Sequence, residues 1–435
     1  MKVIKRIRVS NFKSFKDIDL ELDDLNLIIG SNASGKSNFV QILKFVKDCM
    51  QYGLDSAVSI QGGIDELSNV NMKGEKTIIE LTITPSNSRW IYPIAVPKRK
   101  PKTKKDEYLY DVEKIIEATY RLTFKKTKGK IKAEDSLILN CVSKERIKKT
   151  ANKDDETVRE DVEIPVTIKV TGRGLKMPLI EIETDEKLFP PDAKIMKGIN
   201  FECFIQNLLK SKRSPPLFEL LQLTDIAYEL WAVSFCDLSP KNVKDGTTLK
   251  GIDKFEEDGS NIALLLRNLL VDKKKEKEFN EYLRHLIPSI SEVKTEDRSD
   301  KTVLLKMKET YFKNKYFSGP FLSDGTANVI AMIYALHYTA SSLKVIEEPE
   351  KNLHPQLMGG VMEMMKSASK NSQIIITTHN PVLARCLDLD RIIIVKRDSE
   401  GNSNMARFDE SDEMNKFLLE EIGIGEMMIQ GKLGP

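Results

Sequence analysis

Eight residues near the start of the chain, Gly30-Ser31-Asn32-Ala33-Ser34-Gly35-Lys36-Ser37, have the types and spacing of a loop that holds phosphate. They fit G-x-x-x-x-G-K-[ST]. The glycines let the backbone curl so that successive N–H groups converge on an anion, and a helix start just beyond adds partial positive charge. In such a loop Lys36 reaches the outer phosphates and the Ser37 hydroxyl ligates Mg²⁺, while Asn38 opens the helix that follows. The ligand this predicts is ATP or a close relative, with Mg²⁺.

A second set of reactive groups lies far along the chain. Glu347-Glu348-Pro349-Glu350 closes the apolar run Leu343–Ile346, an arrangement suited to one acid near a metal and the next polarising a water. His379 ends another apolar run, Gln373–Thr378. Leu322-Ser323-Asp324-Gly325 precedes a long helical pattern over 327–336, and a helix start there offers N–H groups to a further phosphate. Gln61, just before Gly62-Gly63, is a candidate for a loop residue that senses the γ-phosphate at the metal. Each element alone has an ordinary alternative. His354 and His379 fit packing or surface positions, the glutamates a solvated acidic turn, Ser323 a plain helix cap and Gln61 a turn residue. Their order and spacing together carry the inference.

These groups need elements to position them. Leu25–Ile29 reads as a short buried strand running into the loop, and residues 38–46 have helical apolar spacing. With strands around 3–9 and 18–29 and an alternating strand over 77–83, residues 1–85 form a first lobe carrying the loop. Residues 86–195 read as a β-rich extension, with strands at Tyr120–Phe124, Val166–Val170 and Leu179–Glu183 and a basic run, Lys98–Lys105, in an exposed loop. Residues 196–300 read as a helical insert, with helices at Phe201–Leu209, Leu217–Ser234, Asn261–Leu270 and Lys277–Leu286. A second lobe, 301–435, begins with a strand over Thr302–Met307. Heptads are not sustained, so a long coiled-coil arm is not expected.

Taken together, the motifs resemble the head of an ABC-type ATPase, in the soluble SMC/RecF/OLD-like branch of AAA-family ATPases. The resemblance covers roughly residues 1–85 and 315–435. It implies an α/β fold: a two-lobed ABC-type P-loop head with inserted β-rich and helical segments. It makes Leu322–Gly325 the signature motif, Ile346–Glu350 the Walker B segment, Asn352-Leu353-His354 the D-loop and His379 the switch histidine. It also implies that Lys13, within Val9–Phe15, approaches the nucleotide. Glu347 stands on the metal side, where Asp is usual; Glu-Glu-Pro-Glu is the form common in the OLD-like group. Glu348 and His379 would be catalytic. Each chain has one copy of each motif, so the resemblance implies a head-to-tail homodimer with two shared ATP sites. Ser323 and Gly325 of one chain would clamp the γ-phosphate held by the other.

Composition narrows the function classes. With 68 basic and 65 acidic residues among 435, the formal charge is +3, which gives no global attraction for polyanions. No apolar run reaches membrane-spanning length, and the five cysteines are too scattered for zinc, so a reduced cytoplasm is expected. Three classes remain. The first is a DNA-linked ATPase of genome maintenance or antiviral defence, acting as sensor or scaffold for a separately encoded effector or nuclease, with DNA itself a candidate ligand. The second regulates a non-DNA protein partner. The third, a self-contained nuclease, has least support, because about fifty-six residues follow His379 and a TOPRIM domain needs more.

Overall fold

Burial alternates from the first strand onward. In β1 (Ile4–Phe12), Ile7 and Val9 are buried while Arg8 between them is exposed, and β2 (Phe15–Glu21) repeats the pattern antiparallel to it. The structure, a computed structural model, describes residues 2–85, 112–128, 130–150, 157–173, 179–184, 230–249, 254–312 and 315–408. Its contacts divide the chain into two units, one of Lys2–Leu22 with Gln41–Trp231, the other of Asp23–Val40 with Ala232–Pro435. The expected strand region over 18–29 is two strands in different sheets: β2 ends at Glu21, and β3 (Leu25–Ile29) belongs to the other unit. The break is a polar turn in which the Asp23 amide donates to Asn26 Oδ1 and the Asn26 side-chain amide donates back to the Asp23 carbonyl.

Helix α1 (Lys36–Tyr52) follows the loop, then α2 (Leu54–Ile60), α3 (Ile64–Leu67) and β4 (Thr77–Ile83). In the unit of Lys2–Leu22 and Gln41–Trp231, β5 (Val112–Thr127), β6 (Lys130–Thr150), β7 (Thr157–Arg173) and β8 (Leu179–Thr184) extend an antiparallel sheet ordered β2-β1-β4-β5-β6-β7-β8. Phe45 of α1 packs between Phe12 and Phe124, each ring centroid 5.7 Å away, and seals the apolar face. Ion pairs line the other face, where Asp19 bridges Arg6 and Arg8 and Glu80 meets Arg8 and Arg121. The three strands expected in this stretch lie inside β5, β7 and β8; β6 is additional. The basic run Lys98–Lys105 lies outside the described residues.

The other unit is built on a mostly parallel sheet. Its later elements are β9 (Ser234–Cys236), α4 (Pro240–Lys244), β10 (Thr247–Thr248), α5 (Ile262–Leu269), α6 (Lys273–Leu286), β11 (Ile290–Asp297), β12 (Thr302–Glu309) and β13 (Tyr316–Ser318). They continue with α7 (Asp324–His337), β14 (Leu343–Glu347), α8 (Pro355–Ser369), β15 (Gln373–Thr378), α9 (Pro381–Ala384), β16 (Ile392–Arg397) and β17 (Ser403–Arg407). The sheet runs β17-β16-β3-β15-β14-β9, parallel except for β17. All five residues of β3 and all six of β15 are buried, as continuous apolar strands covered on both faces should be. Leu27, Ile262, Phe279, Val293, Ile333, Met362 and Ile376 share one apolar core.

Strands β10, β11 and β13 all pair with β12 in a separate antiparallel sheet. Within 196–300, where helices were expected, β11 is therefore a strand, and it pairs with β12 across the expected boundary at 300. Helix α6 starts at Lys273 rather than Lys277 because the Asp272 carboxylate accepts from the Lys274 amide at 2.9 Å and caps it. Of the helix expected over Leu217–Ser234, residues 217–229 lie outside the described residues, as does Phe201–Leu209; its last residue, Ser234, begins β9, which pairs with Lys344–Ile346. Among the described residues, no helix is long and apolar enough to cross a membrane.

Candidate nucleotide site

Strands β3, β15 and β14 lie side by side and parallel, so the segments leaving their carboxyl ends share one edge, where open α/β sheets bind ligands. The loop Gly30–Ser37 leaves β3, His379 leaves β15, and Glu347-Glu348 ends β14. The Gly30 amide donates to the Thr378 carbonyl at 3.4 Å, and the Glu348 amide donates to the Thr377 carbonyl at 2.8 Å. Both flanking segments are thus fixed to the end of the middle strand.

The loop is tightly made. A Cβ on Gly30 would lie 2.5 Å from the Val395 carbonyl oxygen and 2.6 Å from the Ser34 hydroxyl, so only glycine fits. Ala33 has φ 62° and Gly35 φ 123°, which turn the chain back on itself before α1. Ser31, Asn32, Ala33 and Ser37 are exposed, Asn38 is half-buried, and Ser34, Gly35 and Lys36 are buried. The buried Ser34 hydroxyl has no protein partner. The Lys36 ammonium donates to the carbonyls of Gly30 at 2.8 Å and Ser31 at 2.9 Å. Burial holds its pKa below the ordinary lysine range, against the opposing pull of Glu348 and Glu350. No acidic residue stands in the first turn of α1, which leaves its positive end open to an anion.

Opposite signs meet at the next two strand ends. Glu348 has a left-handed backbone, φ 43°, a conformation costing a non-glycine residue ~1–3 kcal/mol and characteristic of functional sites. Its Oε1 lies 3.1 Å from His379 Nδ1 and its Oε2 lies 3.4 Å from Lys351 Nζ. Burial disfavours the Glu348 charge, but His379 and Lys351 outweigh it and hold its pKa below the usual carboxylate range. Glu350 is 7% exposed. Its Oε1 accepts the Thr378 hydroxyl at 2.5 Å and the His379 amide at 3.4 Å, while Oε2 has no protein partner. In the sequence Glu350 is only one member of the acidic segment; its grip on the turn carrying His379 has no signal in spacing alone. Glu347 and Glu348 line a small recess with Cys236, Asn328 and Lys351.

The remaining candidates lie elsewhere. Ser323 caps α7: its hydroxyl accepts from the Thr326 amide at 3.1 Å and lies 2.8 Å from the Thr326 hydroxyl. A Cβ on Gly325 would come within 2.8 Å of the Asn352 carbonyl oxygen, and Asn328 donates to the Lys351 carbonyl at 2.9 Å. The start of α7 is therefore fitted to the segment after Glu350, in which Asn352 has φ 60°. His354 caps α8 through Nδ1. Lys13 and Gln61 belong to the other unit. Lys13 has φ 48° and is held by its amide on the Leu67 carbonyl at 2.7 Å, with burial lowering its pKa against the pull of Glu66. Gln61 donates its side-chain amide to Gln41 at 3.1 Å.

A nucleotide with Mg²⁺ suits this donor set. Among the described residues no three acidic, histidine or cysteine groups gather into a metal cage. A nucleotide-borne Mg²⁺ asks for less, one or two protein ligands beside phosphate and water oxygens. The exposed Ser37 hydroxyl and the Glu347 carboxylate are of the right chemistry.

Residues 1–384 match the family model described as an AAA ATPase domain. Solved structures similar to the chain include an SMC head bound to the C-winged helix domain of ScpA, at 13% identity and TM-score 0.44, covering 93% of this chain and 97% of that one. The SMC head domain from Thermotoga maritima is 13% identical with TM-score 0.40, over 94% of this chain and 100% of that one. An SMC head from Pyrococcus furiosus with an extended coiled coil, bound to the C-terminal domain of ScpA, is 15% identical with TM-score 0.40, over 97% and 100%. No curated protein matches the sequence.

Proposed function

Because the chain belongs to the AAA ATPase domain family, we propose that it is an ATP-hydrolysing switch whose complete site forms between two copies in a head-to-tail pair. The observation that carries this reading is the Glu348–His379 pair, 3.1 Å apart, in which His379 leaves the strand beside the one that runs into the phosphate loop. The N–H groups of Gly30–Ser37 and the positive end of α1 hold the phosphates, and Lys36 exchanges its bonds to Gly30 and Ser31 for phosphate oxygens. Ser37 and Glu347 are the residues that would hold Mg²⁺, which when bound neutralises phosphate charge. Glu348, ionised, orients the attacking water by accepting its hydrogen bond, and His379 fixes that carboxylate and faces the γ-phosphate. Ser323 and Gly325 act from the partner copy. The resemblance assigns Lys13 to the nucleotide, and Gln61 is the candidate γ-phosphate sensor; both belong to the other unit. Phosphate release from ATP, measured together with ATP-dependent dimerisation by light scattering, tests the reading. A purified protein that binds ATP but hydrolyses it as a monomer would refute the shared site.

The work done by the switch is proposed to be DNA-linked, in genome maintenance or antiviral defence, with the protein as sensor or scaffold for a separate effector. The tip of the β5–β6 hairpin supports this. It carries Lys125, Lys126, Lys128, Lys130 and Lys132, and Lys125 faces Lys132 directly in the register. Like charges placed opposite each other destabilise a hairpin, and one acid, Asp65, meets Lys126 at 2.6 Å. A phosphate backbone would offset that repulsion. Affinity for duplex DNA should fall steeply with salt, and less steeply after Lys128→Glu and Lys130→Glu. DNA binding absent at low salt would favour regulation of a protein partner instead.

A further inference from the structure

We propose that the β16–β17 hairpin is a buttress that sets the phosphate loop in its anion-binding shape, with Arg397 and Ser403 as its positioning residues. The inference rests on the nucleotide reading of the loop and adds residues far from its motif.

A loop that turns its N–H groups toward an anion turns carbonyls the other way, and those carbonyls need donors. Beside the local backbone amides, among the described residues the side-chain donors fall into two sets. Lys36 serves Gly30 and Ser31, on the entry half of the loop. On the exit half, Arg397 Nε donates to the Ala33 carbonyl at 2.9 Å and the Ser403 hydroxyl donates to the Ser34 carbonyl at 2.5 Å. The first set is temporary, because Lys36 must leave it to reach phosphate. The second set does not depend on the ligand.

The hairpin is shaped for this task. Arg397 and Ser403 are register partners across β16 and β17, so both groups leave the same end of the hairpin. Val395, two residues before Arg397 on β16, presents the carbonyl oxygen that leaves no room for a side chain at Gly30. Three hairpin residues thus meet the loop at Gly30, Ala33 and Ser34. The guanidinium is itself anchored: its Nη1 donates to the Gly401 carbonyl in the hairpin turn. That turn is closed by Asp398, whose Oδ1 accepts the amides of Glu400 at 2.9 Å and Asn402 at 2.8 Å. Ser403 is 0% exposed and Ser34 1%.

Ala33 is where this support matters most. With φ 62° it holds a left-handed conformation that a residue with a Cβ does not favour, and such residues persist when their surroundings over-determine them. The charge-assisted bond from Arg397 falls on the carbonyl of that residue. Without it, Ala33 relaxes toward an ordinary conformation and its neighbours' N–H groups no longer converge.

The test uses the full chain, fluorescent ADP binding and hydrogen exchange of the loop amides. Arg397→Ala and Ser403→Ala should each weaken ADP binding by about tenfold, the loss of one strong hydrogen bond. KM for ATP should rise in proportion, while kcat at saturating ATP stays within about threefold of the parent, because bound phosphate rebuilds the loop. Amides of residues 31–36 should exchange faster in both variants, and Arg397→Lys should recover part of the binding. Folded variants with parental ADP affinity and parental loop exchange would overturn the proposal. Parental affinity lost together with a collapse of kcat in the Arg397→Lys variant would also overturn it, since Arg397 would then act on the reaction directly. If the parent protein itself binds no nucleotide, the reading of the loop fails instead, and faster or unchanged exchange still decides whether the hairpin holds it.

Discussion

Nδ1 of His379 lies 3.1 Å from Oε1 of Glu348, and the two residues leave adjacent parallel strands, β15 and β14. The contact joins a carboxylate on a strained backbone to a ring whose own turn is held by Glu350 through Thr378. Neither group can move without disturbing the other, which makes the pair sensitive to what binds beside it.

Replacing Glu348 by Gln keeps the shape and removes the charge. Nucleotide binding should persist, while hydrolysis should fall by at least about a hundredfold, the usual effect of losing a group that activates water. ATP-bound dimers should then accumulate, visible by light scattering or sedimentation. Turnover at the parental rate would remove Glu348 from its assigned role.

Lys36→Ala should abolish nucleotide binding. It also takes the ammonium's hydrogen bonds from two loop carbonyls, those of Gly30 and Ser31, leaving the Ser31 carbonyl with the Ser34 amide at 3.2 Å. The fold should survive, since the sheet beneath does not depend on this side chain. A folded variant with undiminished ATP affinity, measured by calorimetry, contradicts the assignment of the loop.

Ser323→Arg places a cation where the opposite copy's γ-phosphate is expected. Binding to the variant's own phosphate loop should persist, and closure and hydrolysis should fail. Ser323 also caps α7, so the substitution removes a cap worth ~1 kcal/mol, and Ser323→Ala is the control for that loss. Mixing Ser323→Arg with Lys36→Ala should restore partial activity if one intact site can turn over alone. Full activity of monomeric Ser323→Arg is the outcome that rules out the head-to-tail site.

Lys344 gives a pH signature. It is 4% exposed inside β14, its ammonium donates to the Leu336 carbonyl, and burial pushes its pKa down to about 8. The ordinary value is 10.5, so between about 8 and 10.5 the unfolded chain binds the proton that the folded chain gives up. Stability should therefore rise with pH across that window, provided the rest of the titration is subtracted with a Lys344→Met variant. That variant should be more stable at pH 7 by ~1–3 kcal/mol, because a buried charge is exchanged for an apolar side chain. Urea denaturation of both proteins at several pH values makes the comparison. A larger gain for the variant at high pH than at pH 7 contradicts the sign.

Much of the nucleotide-bearing sheet was legible because its strands are short, mostly apolar runs without a polar alternation. Leu25–Ile29 and Gln373–Thr378 cannot be amphipathic, and each ends at a residue with chemistry. Helices α5 and α6 were legible from periodicity. Other features have no comparable local signal. The polar turn at Asp23–Asp24 separates two sheets, yet its side-chain bonds need three-dimensional proximity. Strand β11 has charged residues at four of its eight positions and becomes a strand by pairing with β12. The anchors Glu350, Arg397 and Ser403 act through contacts that span tens to hundreds of residues, so no spacing rule reaches them. Lys13 rests on the resemblance and Gln61 on its place before two glycines, and both belong to the unit that does not contain the phosphate loop.

The position of β3 also governs when the nucleotide site can come into being during synthesis. Leu25–Ile29 is made before its partners on both sides, β15 and β16, which follow roughly 350 residues later. A ribosome adding roughly 5–20 residues per second leaves that strand without neighbours for tens of seconds. Through this interval the chain displays an apolar five-residue strand with two open edges, which is what holding chaperones bind and what aggregates form from. Nucleotide cannot guide the early stages, since the loop's floor arrives with Val395 and its last support with Ser403. A ribosome-stalled chain ending before β16 should therefore fail to retain ATP even though it contains every residue of the phosphate loop.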